Sequence, residues 1–156
     1  MIFLLDVNAL LALAHAAHVH HARTERWVAG LTKSDRLATC SITELGFVRV
    51  APQARLSPSV SAAREHLGLL THATRPRFVR LTDDLGAEDL PSWVRMPTQT
   101  TDGHLVALAG SKGARLATLD EGIPQSTVIP AGGRPPTASP PPGPASEHRQ
   151  RIRFRR

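Results

Sequence analysis

The sequence predicts an α/β domain: a doubly wound, mainly parallel sheet of four to five strands with helices on both faces, in three α/β/α layers. Three observations point there. Short apolar runs such as Ile2–Leu5, Leu37–Cys40 and Ala114–Leu119 lack polar alternation, which suits strands covered on both sides. Segments with helical spacing fall between them, and strand and helix alternate along most of the chain.

Ile2–Leu5 reads as the first strand, and Ala9–Ala14 as the helix after it. A second helix spans His18–Leu31, with Trp27, Val28 and Leu31 on one side. After the strand Leu37–Cys40, Ser41-Ile42-Thr43-Glu44 has the spacing of a capping box, opening a helix that carries Leu45, Phe47, Val48 and Val50. Ser57-Pro58 supplies an N-cap and first-turn pair for a helix through Leu70. Phe78–Leu81 is a short strand, followed by a less regular stretch to Thr98. Thr101-Asp102 starts a helix closed by Gly110 or Gly113, Ala114–Leu119 is a strand ending at Asp120, and Thr127–Ile129 forms a last short strand. No internal repeat is evident.

The 156 residues suffice for one domain, and 41% hydrophobic content is ordinary for a globular chain. The net charge of +6 is unevenly placed. Residues 1–130 hold 13 Lys and Arg against 12 Asp and Glu, whereas 131–156 hold six Arg against Glu147 alone. The basic character therefore belongs to the tail and does not make the domain a nucleic-acid binder. The tail is Pro-rich, then Arg-rich, a composition that opposes regular structure and predicts disorder, so the domain boundary is placed near Pro130. A single cysteine, Cys40, in an apparent core strand excludes an internal disulfide framework and fits a reduced, cytoplasmic setting. No stretch is long enough to span a membrane, and the N-terminus lacks the pattern of a secretory signal.

Asp6 breaks off a buried apolar strand, where a carboxylate is unfavourable unless hydrogen bonds, a helix terminus or a cation compensates it. Asp120 also ends a strand, and Glu44 and Asp102 lie in first helical turns. In an open parallel sheet these positions share the edge at which ligands bind, so the four acids can converge there. Each also has a plainer explanation: Glu44 completes a capping box, Asp102 follows a cap at Thr101 and complements the helix dipole, and Asp120 precedes a turn. Asp6 has the weakest such alternative. If the acids converge, their repulsion calls for a multivalent cation, and an all-oxygen donor set suits Mg²⁺ or Mn²⁺. Asn8 is placed to hold a carboxylate or a water.

LLDVNAL at the start, ITELGFVRV around Glu44, TTDGHLVALA around Asp102 and LATLDEG around Asp120 together resemble the PIN-domain ribonucleases, specifically the VapC toxins of bacterial toxin-antitoxin pairs. The resemblance covers most of residues 1–130, with the motifs in the family's order. It implies a PIN-like fold and metal-dependent endonucleolytic cleavage of RNA. Asp6, Glu44, Asp102 and Asp120 would form the acidic site, with Asp6, Asp102 and Asp120 as metal ligands and Glu44 orienting the attacking water. Asn8 and Thr101 would support them. It also implies a cognate antitoxin as partner and a homodimer. Gly103 departs from the family's usual helix former, and Glu121 adds a charge beside Asp120.

Arg23, Arg26, Arg49, Lys112 and Arg115 are candidates for phosphate contacts along a rim, as are the arginines of the tail. His15, His18, His20 and His21 suit a helix junction better than a metal site, since no second ligand cluster accompanies them. Asp83, Asp84, Glu88 and Asp89 read as a solvated short helix, and the role of His104 is left open. Two other readings stand beside the ribonuclease: a degenerate PIN module that binds RNA or protein without cutting, and a phosphotransferase with Asp6 as nucleophile.

Overall fold

The computed structural model describes residues 1–131; the expectations for the tail lie, beyond Ala131, outside the described residues. Five strands form one sheet: β1 (Ile2–Leu5), β2 (Arg36–Thr39), β3 (Phe78–Arg80), β4 (Arg115–Thr118) and β5 (Thr127–Val128). Every pairing is parallel, and the spatial order is β3-β2-β1-β4-β5. The helices are α1 (Val7–Ala14), α2 (His21–Ala29), α3 (Ser41–Gln53), α4 (Val60–Thr71) and α5 (Thr100–Ser111), with two single 3₁₀ turns at Ala87–Asp89 and Pro97–Gln99.

Alternation along the strands divides the core. Phe3, Leu5, Leu37 and Ala117 point to one face and pack with residues of α1 to α4, including Leu10, Trp27, Phe47 and Leu67. Leu4, Ala38 and Leu116 point to the other and pack with Leu105, Val106, Leu108 and Ala109 of α5. Both faces of β1 are thereby buried, which is why its sequence reads as an unbroken apolar run. Cys40 is fully buried, as core.

Several boundaries differ from expectation for local reasons. Helix α2 begins at His21, because the backbone N–H of His20 donates to Nδ1 of His18 and a tight turn occupies residues 15–20. Helix α4 begins at Val60, with the Ser59 hydroxyl accepting from the Ala62 N–H; Ser57-Pro58 lies before the helix. The anticipated Ser41–Glu44 capping box does not form. Cys40 is the N-cap of α3, and the Thr43 hydroxyl accepts from the Cys40 N–H and donates to the Cys40 carbonyl, leaving the Glu44 carboxylate available elsewhere. Helix α5 starts at Thr100, directly after a 3₁₀ turn, so Thr101 lies within the helix and does not cap it. Its C-terminal stop is Gly113, at φ +65°, not Gly110.

Two glycines set the distance between elements that carry site residues. A Cβ at Gly46 of α3 would run into the Val7 side chain at the start of α1, and one at Gly103 of α5 would run into Val94. Gly103, unusual as a helix former, is thus required by the close approach of the 91–94 loop beside Asp102.

Candidate active site at the carboxyl edge of the sheet

All five strands point the same way, so β1 to β4 deliver Asp6, Thr39, Arg80 and Thr118 to one edge. The strand order reverses between β1 and β4, and the crevice at such a switch point is where ligands bind in open α/β sheets. Asp6 follows β1 there and Asp120 follows β4; Asp102 enters from the first turn of α5.

Asp6 is the N-cap of α1 and is buried. Its Oδ1 accepts from the Ala9 N–H at 2.6 Å, and its Oδ2 accepts from the Thr118 hydroxyl at 2.5 Å. The Thr118 oxygen in turn accepts the Asp120 N–H at 2.9 Å, so one buried hydroxyl joins the ends of β1 and β4. Burial holds the Asp6 carboxyl above the ordinary carboxylate range. The Thr118 and Ala9 donors oppose that shift, and the charges of Asp102 and Asp120 reinforce it. Burial, then the Asp120 charge, raises Asp102 as well. Asp102 and Asp120 are therefore close enough to disfavour ionisation of Asp6, and Asp120 that of Asp102, and no Lys or Arg of the described residues counters them.

The trio is not a finished metal cage. Among the described residues no three His, Cys, Asp or Glu side chains already stand in a metal-holding group. Both Asp6 oxygens face protein donors, and Asp120 Oδ1 accepts the Gly122 N–H at 2.7 Å. Asp102 makes no side-chain hydrogen bond to the described residues. The donor set is nonetheless all oxygen and pairs with no Lys or Arg of the described residues, which fits a hard divalent cation.

Glu44 has partners of its own. Its Oε1 accepts from the Thr39 hydroxyl at 2.7 Å, and its Oε2 faces Nε of Arg80 at 3.2 Å. Asn8 and Thr101 are exposed, and neither side chain bonds to a described residue.

The candidate rim cations fall in different parts of the fold. Arg115 opens β4 and therefore sits at the opposite edge from the acids; Lys112, past the far end of α5, is paired with Asp84 at 2.7 Å. Arg23 clamps α2 to the segment after β5, its Nε donating to the Ile129 carbonyl at 2.8 Å. Arg49 is exposed on α3. His104, left open above, bonds Asp83 at 2.7 Å and ties α5 to the loop after β3. Two residues were missed by sequence reasoning. Thr118 carried a weak signal, a threonine two positions before a strand-terminal acid. Arg80 carried none, because only the sheet topology brings it beside Glu44.

No protein-family model matches the chain. Ribonuclease VapC38 of Mycobacterium tuberculosis is 42% identical over 125 residues, 77% of this chain and 86% of the relative. The chain belongs to the VapC ribonuclease family. Ribonucleases VapC44 and VapC39 of the same organism, each 37% identical, cover 90% and 94% of their own lengths and 80% and 81% of this chain. The crystal structure of the VapC family member VapC20, described as a sarcin-ricin loop cleaving toxin of M. tuberculosis, superposes with a TM-score of 0.59 at 19% identity. It covers 83% of this chain and all of that one, a likeness of fold.

Proposed function

We propose that the protein is a divalent-metal-dependent endoribonuclease that hydrolyses RNA phosphodiester bonds, the toxin of a VapBC-type pair. The observation that carries this is the convergence of Asp6, Asp102 and Asp120 at the sheet's switch point, where the charges of Asp102 and Asp120 raise Asp6 and that of Asp120 raises Asp102, with no Lys or Arg of the described residues beside them, in a chain of the VapC family. These three residues would hold Mg²⁺ or Mn²⁺, which when bound supplies charge neutralisation at the phosphate and acidifies a water.

The remaining steps belong to the chain. The helix α1 N-terminus and Thr118 keep the Asp6 carboxylate in one orientation through one bond to each oxygen. The Thr118–Asp120 bond fixes the spacing of the second strand end. Asn8 and Thr101, exposed beside Asp6 and Asp102, are free to bind water or substrate. Glu44 has its oxygens on Thr39 and Arg80 and supports the substrate side of the site. The reaction belongs to the cytoplasm, with a cognate antitoxin as inhibitor and a homodimer as the working assembly. The folded unit is residues 1–130. No helix of the described residues is long and apolar enough to cross a membrane.

The test is cleavage of a structured RNA pool by the wild-type chain and by Asp6→Asn, each with Mg²⁺, Mn²⁺ or a chelator. Cleavage by the wild type alone, lost on chelation, is expected. Equal fragmentation by a purified, folded Asp6→Asn sample contradicts the reading and favours a non-cleaving module.

A further inference from the structure

We infer that Arg80, held by Glu44 and Ser41, is the phosphate anchor for the RNA strand, and that the groove beside β3 receives the nucleotides flanking the scissile bond. This rests on the ribonuclease reading and names a substrate contact within it. Arg80 ends β3 at the same edge as Asp6 and Asp120. Its Nε donates to Glu44 at 3.2 Å and its Nη2 to the Ser41 hydroxyl at 2.8 Å. A guanidinium has five N–H donors in a fixed fork, so two bonds orient it and three donors are left for a ligand. The side chain is 55% exposed, against 27% for Glu44, so the open donors face solvent and not the core.

The surroundings fit a polyanion. Arg80 and Arg64 line one groove of about 720 Å³, whose only acid is Glu44, already paired; Val48 and Leu67 give it apolar surface on which a base can rest. An RNA strand approaching Asp6, Asp102 and Asp120 meets repulsion, and a fixed cation on the same edge offsets it. Three of the other cations considered lie elsewhere or are engaged: Arg115 at the far edge, Lys112 with Asp84, Arg23 with Ile129. The Glu44 carboxylate, seated by Thr39, thereby positions Arg80.

The experiment measures binding, not cleavage. Full-length chain carrying Asp6→Asn is titrated against a fluorescently labelled mixed-sequence single-stranded RNA by anisotropy at several KCl concentrations, with and without Arg80→Ala, Arg80→Lys or Arg64→Ala. Losing one phosphate contact flattens the slope of log affinity against log salt by about 0.7 for single strands and weakens binding whatever the sequence. Arg80→Ala is expected to do this, Arg80→Lys to restore the slope, and Arg64→Ala to produce a smaller loss. An unchanged slope and affinity in a folded Arg80→Ala protein overturns the inference, as does a loss that Arg80→Lys does not restore. If that happens while the wild-type chain still cleaves RNA, the ribonuclease reading survives and the anchor alone fails.

Discussion

Strands β2 and β4 carry the same tetrapeptide, Arg-Leu-Ala-Thr, and flank β1 on opposite sides, yet their terminal threonines meet different acids. Thr118 donates to Asp6, which is buried near other carboxylates with no Lys or Arg of the described residues beside it. Thr39 donates to Glu44, which is partly exposed and already paired with Arg80. One hydroxyl therefore braces a carboxylate that no cation of the described residues pairs, and the other braces a carboxylate paired with Arg80. The difference separates the two halves of the edge: the β1/β4 side gathers carboxylates, and the β2/β3 side presents a cation, Arg80.

Breaking the β1/β4 side gives the largest effect. Asp6→Asn is expected to lower kcat for RNA cleavage by about 10²–10³, the scale of removing one charge-stabilising group from an active centre, with circular dichroism unchanged. Next is Thr118→Val, which keeps the side-chain shape and removes the hydroxyl. Loss of such a supporting partner weakens metal affinity by about 10–100-fold, and Thr118→Ser restores most of it. If Thr118→Val binds Mn²⁺ as well as the wild type, the hydroxyl does not organise Asp6.

The same side sets a pH dependence in the metal-free protein. Because Asp6 and Asp102 titrate above their unfolded values in the folded chain, the folded state holds more protons through that window, and stability falls as pH rises through it. Thermal melts of the chelated protein should therefore show a falling melting temperature from pH 4 upward, with divalent metal reversing the loss at neutral pH. Asp102→Asn removes one of the repelling charges and no hydrogen bond. It should raise the metal-free melting temperature at pH 8 by on the order of 2 °C. A lowered one would mean that Asp102 is compensated.

The smallest change should come from the β2/β3 side. Glu44→Gln retains an acceptor for Thr39 and gives up the charge opposite Arg80. Metal affinity should stay within about twofold of the wild type, since the lost ion pair is largely solvent-exposed and such pairs contribute at most about 1 kcal/mol. A large loss would make Glu44 a metal ligand beside the three aspartates.

Much of this was legible before any coordinates. Asp6 stands out because an apolar strand ends on it, and the alternation of strands with helices is enough to place strand-terminal acids on one edge. Glu44 was harder: Ser41 and Thr43 both offer capping chemistry, and spacing alone does not decide which hydroxyl the helix uses. Charge alone says nothing about which end of a parallel strand a cation occupies: Arg115 begins a strand and Arg80 ends one. Gly103 was visible as a poor helix residue, but its reason, the approach of Val94, is tertiary.

The most direct measurement is a calorimetric titration of Mn²⁺ into the full-length chain without RNA, comparing wild type, Asp6→Asn and Glu44→Gln. Saturable binding by the wild type and Glu44→Gln, abolished in Asp6→Asn, is the predicted result. Equal binding by all three, or binding lost only in Glu44→Gln, would contradict a cation site built on Asp6, Asp102 and Asp120.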